Sequence, residues 1–275
     1  MWRSLIRYGF LITLGAAVGL GAGPARAETE VDLALVIAVD ISFSMDPDEQ
    51  ALQREGFVEA FRSPIVHEAI RRGMLGRIAV TYVEWAGASD QRILLPWTVL
   101  EGAGDANGFA EAIAQKPTRR AARTSISGII DFATKLFAAG ELSSTRQVID
   151  ISGDGPNNQG RPVTVARDAA IEQGITINAL PIMLKDGGYF DIQNLDLYFR
   201  DCVIGGQGAF MVPVRDRAQF VNAVRTKIIM EVAEAPVPGR AGDAEGGGLV
   251  VPAQAAGQRG NCFAGETQWR DRMGP

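Results

Sequence analysis

Asp40, Ser42 and Ser44 set one carboxylate and two hydroxyls at alternating positions, directly after an apolar run from Val31 to Val39 that only Asp32 interrupts. Carboxylate and hydroxyl oxygens are hard donors. Gathered in one place they suit a small divalent cation, Mg²⁺ first, with Mn²⁺ or Ca²⁺ as alternatives. Two later segments carry donors of the same kind. Arg123-Thr124-Ser125-Ile126-Ser127-Gly128 is a polar loop leading into a helix, and Thr124 can bring a further hydroxyl, directly or through water. Val148-Ile149-Asp150-Ile151-Ser152-Gly153-Asp154-Gly155 repeats the pattern of a buried strand, and ends in an acid between two glycines. Glycine tolerates the sharp turn that would hold Asp154 at the strand end.

The elements that must position these groups follow from the patterning. The run before Asp40 is too short to span a membrane, which takes about 20 residues, and suits a strand buried on both faces. Strand-like and helix-like segments alternate from residue 31 to about 233. That alternation predicts an α/β fold, doubly wound and Rossmann-like, with a mostly parallel central sheet and helices on both faces. Strands are expected at Ile78–Trp85, Arg92–Thr98, Arg146–Ser152, Ile175–Met183 and Ala209–Val214. Gly87-Ala88-Ser89-Asp90 looks like a hairpin loop, so one edge strand should run antiparallel. Trp85 and Trp97 flank that loop and are expected to pack across the strands. Asp46-Pro47-Asp48-Glu49 marks a helix start, with a capping Asp, Pro at the first helical position and acids at the positive end of the dipole. That helix should run to Arg72 with a break near Pro64. Further helices are expected at Asp105–Gln115, Ser125–Ala139, Val163–Gln173 and Asp216–Ala233. In open sheets of this kind ligands bind beyond the carboxyl ends of the strands, where strand order reverses. Asp40 and Asp154 would both lie there.

In order along the chain, Asp40-x-Ser42-x-Ser44, then Thr124, then Asp154 in its Gly-Asp-Gly turn resembles the metal-ion-dependent adhesion site, MIDAS, of von Willebrand factor A (VWA) domains. The match in order and in intervening βα units runs over residues 31–233. The whole chain, cysteine-bearing insert and tail included, is similar to an uncharacterised group of exported bacterial VWA-like proteins. The resemblance implies that Ser42 and Ser44 coordinate the metal directly. Thr124, Asp40 and Asp154 would act directly or through water, and an acidic side chain from a protein partner would complete the octahedron. It implies a non-enzymatic binding module for adhesion or assembly. Gly153 departs from the family pattern, since many relatives have Thr or Ser before the Asp, though that position is not a ligand.

Two other functions are open. A metal-dependent hydrolase could use Asp40 as a nucleophile, as phosphatases of the haloacid dehalogenase type do. Those enzymes need a second Asp where this chain has Ser42, and a downstream Lys for which Lys185 is a candidate without a matching motif. Alternatively the fold is a scaffold and its metal site vestigial.

Composition narrows the remaining possibilities. Residues 1–27 read as a signal peptide, with Arg3 and Arg7 before an apolar Phe10–Gly23 and a cleavage pattern at Ala25-Arg26-Ala27. The mature protein is expected to be exported, periplasmic or secreted, with no membrane span. Residues 28–234 form the expected domain, with an irregular insert at 185–208. Residues 235–260 read as a flexible linker and 261–275 as a tail. The chain carries 27 Lys+Arg against 32 Asp+Glu, and the signal peptide holds three of the arginines and no acid. A negative chain without a basic block is a poor nucleic-acid binder. Cys202 and Cys262 are expected to pair in an oxidising compartment and tie the tail to the domain. The single histidine, His67, leaves no room for a histidine metal cluster and little for a Ser-His-Asp triad. Its setting predicts a partly exposed helix residue.

Overall fold

β1 (Thr29–Asp40) is buried from Val31 onward, as a strand apolar on both faces must be when a helical layer covers each. It pairs in parallel with β2 (Ile78–Trp85) on one side. On the other side, β4 (Leu142–Gly153) is also parallel to it. β3 (Gln91–Leu100) returns antiparallel along β2, closing the expected hairpin. Beyond β4 come β5 (Ile175–Pro181) and the short β6 (Phe210–Met211), both parallel. β7 (Val251–Pro252) then pairs antiparallel with β6, so the sheet ends in an antiparallel strand at both edges rather than one. The order is β3-β2-β1-β4-β5-β6-β7. The computed structural model describes residues 28–139, 142–185, 192, 194–233, 250–253 and 259–273. The expected signal peptide and most of the expected linker lie outside the described residues.

The helices are α1 (Pro47–Arg62), α2 (Pro64–Arg71), α3 (Ala103–Ala114), α4 (Ile126–Ala138), α5 (Val163–Ile171), α6 (Leu195–Tyr198), α7 (Phe220–Ala233) and α8 (Ala264–Met273). Asp46 accepts from the Glu49 N–H at 2.8 Å, and Glu49 accepts from the Asp46 N–H at 3.0 Å. This reciprocal capping box starts α1 where the sequence predicts it. Alternation along β1 divides the core. Leu33, Leu35, Ile37 and Val39 pack with Phe57, Phe61, Phe109 and Phe220 of α1, α3 and α7. Val36 and Ala38 join Ile129, Ile130 and Ala166 of α4 and α5 on the other face. No helix among the described residues is long and apolar enough to cross a membrane.

Two expectations change in the folded chain. His67 is buried, not partly exposed, and its ring bonds the Phe61 carbonyl at 2.7 Å, bracing the joint between α1 and α2. Trp85 is paired in register with Gln91, while Trp97 packs on Phe137 at 5.7 Å between ring centroids, so the two tryptophans do not face each other across the hairpin.

Beneath the sheet, Lys227 of α7 lies between two buried acids, Asp150 of β4 and Glu231. Asn178 donates to Glu231 and accepts from the Phe210 N–H, so polar groups of four elements, β4, β5, β6 and α7, meet here. One ammonium cannot neutralise two carboxylates in a dry interior. Burial, aided by the charge of Asp150 and opposed by Lys227, pushes Glu231 up to about 7. Burial likewise raises Asp150. The raised value on Glu231 gives a contribution to stability that is complete below its ordinary pKa of 4.5 and is lost as pH climbs through about 7.

Lys227→Met should therefore cost about 3–5 kcal/mol at pH 8, where it strands two buried charges, and less at pH 5. Glu231→Gln should flatten the wild-type decline in stability between those pH values. Urea unfolding at both pH values checks both expectations.

Candidate metal centre

Asp40 is the last residue of β1 and Asp154 follows the last residue of β4, so both acids rise where the chain leaves adjacent parallel strands. Hydrogen bonds join them through both serines. The Ser42 N–H donates to Asp40 Oδ1 at 2.7 Å, Ser42 Oγ lies 2.7 Å from Ser44 Oγ, and Ser44 Oγ donates to Asp154 Oδ1 at 2.6 Å. The loop after β1 is itself anchored: the Ile41 N–H donates to Trp85 O and the Ala121 N–H donates to Ile41 O, each at 2.9 Å.

Thr124 reaches the same place from the loop before α4 and is buried there. Asn158 fixes its backbone from both sides. Asn158 Oδ1 accepts from the Thr124 N–H at 2.9 Å, and Thr124 O accepts from the Asn158 N–H at 2.8 Å. Asn157, fully buried, accepts from the Ser127 N–H at 3.0 Å and donates to Glu266 of α8 at 2.8 Å. These two asparagines bind the Asp154 loop to the Thr124 loop and to the tail. Arg123, next to Thr124, has φ +75°, a left-handed conformation unusual for a residue with a side chain. Such strain is held by its surroundings and gathers at working sites.

The electrostatics of the cluster are unbalanced. Asp40 has no exposed surface, and its Oδ2 has no hydrogen-bond partner. Burial first, and the charge of Asp154 second, raise its carboxyl well above the ordinary range. Burial pushes Asp154 up to about 6, with Glu49 adding to the effect and Ser44 and Lys185 opposing it. Lys185 compensates the outer side only: its ammonium lies 3.3 Å from Asp154 Oδ2, pairs with buried Glu49 and donates to Ser44 O. Among the described residues no cation pairs with Asp40. An orphaned carboxylate oxygen, a second buried acid and nearby hydroxyls fit a hard divalent ion. Among the described residues no group of three or more His, Cys, Asp or Glu side chains is placed to hold a metal, so a nitrogen-sulfur site of the zinc type does not form there.

Asp40, Ser42, Ser44 and Asp154 are thus joined by hydrogen bonds at one strand edge, and Thr124 lines the same cavity as the two serines. Glu49 and Lys185 join them; the sequence marks Glu49 only as an acid of the helix start, and Lys185 only as the downstream Lys of the hydrolase alternative, without a matching motif. Glu49 carries the signature of a capping residue, and Lys185 lies 31 positions from its Asp154 partner. Cys202 and Cys262 form a disulfide that carries α8 to this face of the domain. A cavity of about 370 Å³ opens between the Ser42, Ser44 and Thr124 loops and the tail helix.

Gly153 explains its own departure from the family pattern. A Cβ there would stand 2.9 Å from Asp40 Oδ2 and 3.4 Å from the Trp85 ring. The carboxylate occupies the space that a side chain would need.

The family described as "Protein of unknown function (DUF1194)" matches residues 30–236. No curated protein matches the chain. Among solved structures, a von Willebrand factor type A protein from Catenulispora acidiphila is similar at TM-score 0.53 and 15% identity, covering 74% of this chain and 43% of that one. Proximal thread matrix protein 1 of the mussel byssus, in a structure with a zinc-occupied MIDAS motif, is similar at TM-score 0.50 and 14% identity, over 75% of this chain and 49% of that one. The pilus adhesin SpaC of Lactobacillus rhamnosus GG is similar at TM-score 0.54 and 11% identity, over 76% and 31%. The chain spans less than half the length of each. At these identities the likeness establishes the fold, that of VWA domains.

Gly153→Ala should displace the Asp40 carboxylate and destabilise the fold by about 1–3 kcal/mol, the usual effect of overpacking. Chemical denaturation beside the wild type checks this; equal stability would show that the carboxylate has room to move.

Proposed function

The chain belongs to the DUF1194 family, and from that premise and the VWA fold we propose a non-enzymatic binding module that captures a partner's carboxylate through a divalent cation. Asp40, Ser42, Ser44, Thr124 and Asp154 hold the ion, Mg²⁺ in preference to Mn²⁺ or Ca²⁺, and an acidic side chain of a protein partner takes a remaining position. The observation that carries this reading is the unpartnered, fully buried Oδ2 of Asp40 beside a second acid. Neutral hydroxyls leave the cation electrophilic enough to attract an outside anion. The zinc-occupied MIDAS of the mussel protein and the adhesin role of SpaC support metal-dependent adhesion or assembly. The module acts after export, on the periplasmic or outer side of the cell membrane.

One observation favours the hydrolase alternative: Lys185 does reach Asp154. Against it, Asp40 is enclosed and one of its oxygens is held by the Ser42 N–H, so it has no face to offer a phosphoryl group. Capture is the stronger reading.

Asp40→Asn keeps the size of the side chain and removes its charge. Chelator-stripped wild type should bind one equivalent of Mn²⁺ by electron paramagnetic resonance, and Asp40→Asn should lose at least 100-fold in affinity. Without metal, the variant should be no less stable than the wild type, because a penalised buried charge is gone. With Mn²⁺ at 100 times its Kd, only the wild type should gain about 2.7 kcal/mol. Equal Mn²⁺ affinity in both proteins would overturn the assignment.

A further inference from the structure

The proposed ion binds one end of a carboxylate ligand; the cavity beside it determines what that carboxylate is attached to. Ser42, Ser44 and Thr124 line the inner end of this space of about 370 Å³. Phe43, Pro156 and, from the tail helix, Trp269 add apolar and aromatic surface to its walls, beside the polar Arg123, Asn158 and Gln268. Phe43 is 60% exposed, although the residues on either side of it turn inward. A large aromatic side chain left in solvent at the mouth of a cavity has apolar surface to offer a ligand.

Two arginines stand at the same mouth. The Arg123 guanidinium stacks over the Trp269 ring, 3.5 Å from its centroid, and is presented from the left-handed backbone already described. Arg120 lies 5.4 Å over Phe43 and donates to the Phe43 carbonyl at 2.7 Å. Stacked guanidinium groups keep their charge while their faces become part of an aromatic wall. The opening is therefore positive and apolar together.

Size limits the occupant. Ligand cavities run from about 300 to 1,000 Å³, and this one is at the small end. Nor is its tail wall loosely placed. The Cys202–Cys262 disulfide, the Gly260 N–H to Asp201 bond at 2.6 Å and the Asn157–Glu266 bond all fix α8 against the domain.

Resting on the metal reading above, we infer that this cavity selects a carboxylate carried on a compact apolar body, with the acid at the Ser42–Ser44–Thr124 end and the body against Phe43 and Trp269. In place of the acidic side chain named above, a free organic acid and the apolar C-terminal residue of a partner chain both supply that chemistry.

Calorimetry with the chelator-stripped, Mn²⁺-reloaded protein tests it. N-acetylphenylalanine should bind at least tenfold tighter than N-acetylglycine and at least tenfold tighter than its own amide. Trp269→Ala should remove the preference for phenylalanine over glycine and leave Mn²⁺ affinity unchanged. Equal binding of the two acids, or a preference that survives Trp269→Ala, would overturn the inference while Mn²⁺ binding upholds the ion site. Absence of Mn²⁺ binding would instead overturn the ion reading. The same comparison without metal then decides the cavity: a preference lost in Trp269→Ala supports it and no preference overturns it. A seven-residue peptide ending in phenylalanine separates the sources. Tighter binding than N-acetylphenylalanine assigns the cavity to a chain terminus, and equal binding assigns it to a free acid.

Discussion

A carboxylate with no exposed surface, at the end of a strand enclosed on both faces, is expensive to keep unless something compensates its charge. Asp40 is that group, and the surrounding loops are arranged about it. The Ser42 N–H satisfies one oxygen, and the serine hydroxyls link it to Asp154. Gly153 lacks a side chain where one would collide with the other oxygen. Those features fit the cation cradle proposed above. Without a cation, the same loops hold two buried carboxylates: burial raises both, with the charge of Asp154 adding to the shift of Asp40 and that of Glu49 to the shift of Asp154.

The second buried charge cluster shows the contrast. Asp150 lies four positions before Asp154 on the same stretch of chain, on the side of the sheet covered by α7, where Lys227 reaches it. There the protein supplies the counter-charge from its own core, and the group is closed to solvent. At the strand end, Lys185 compensates Asp154 from outside, and Asp40 Oδ2 is left without a partner. One sheet thus carries one buried charge cluster with an internal counter-charge and a second in which an acid has none. The difference follows from position, since only the strand ends are reached by loops that leave room for a ligand.

The insert and tail give this face its particular character. Cys202 closes the helical turn after α6, and its bond to Cys262 brings α8 alongside the Asp154 loop. Asn157 links the two through Tyr198 and Glu266. A VWA domain whose metal edge was open on all sides would meet a broad surface. Here one side is walled, and the wall carries the aromatic ring on which Arg123 stacks.

Much of this was legible in the sequence, for local reasons. Apolar runs ending in Asp40 and Asp154 specify buried strands with acids at their ends, and a capping Asp followed by Pro at N1 specifies where α1 begins. Asp40, Ser42, Ser44, Thr124 and Asp154 could be named as candidate donors because each residue's type and its place beside a strand or loop are written in the chain. Neither the antiparallel β7 edge, nor the burial of His67, nor the approach of Lys185, Glu49 and Trp269 to the strand end was visible. Each depends on how separate elements pack: β7 on a two-residue pairing far from its partner, His67 on the carbonyl that happens to face it, Lys185 on the exit direction of the chain beyond β5. Residue type and spacing record what a segment can offer. Which distant group meets it, and which buried oxygen is left without a partner, is decided only when the layers close and exclude water.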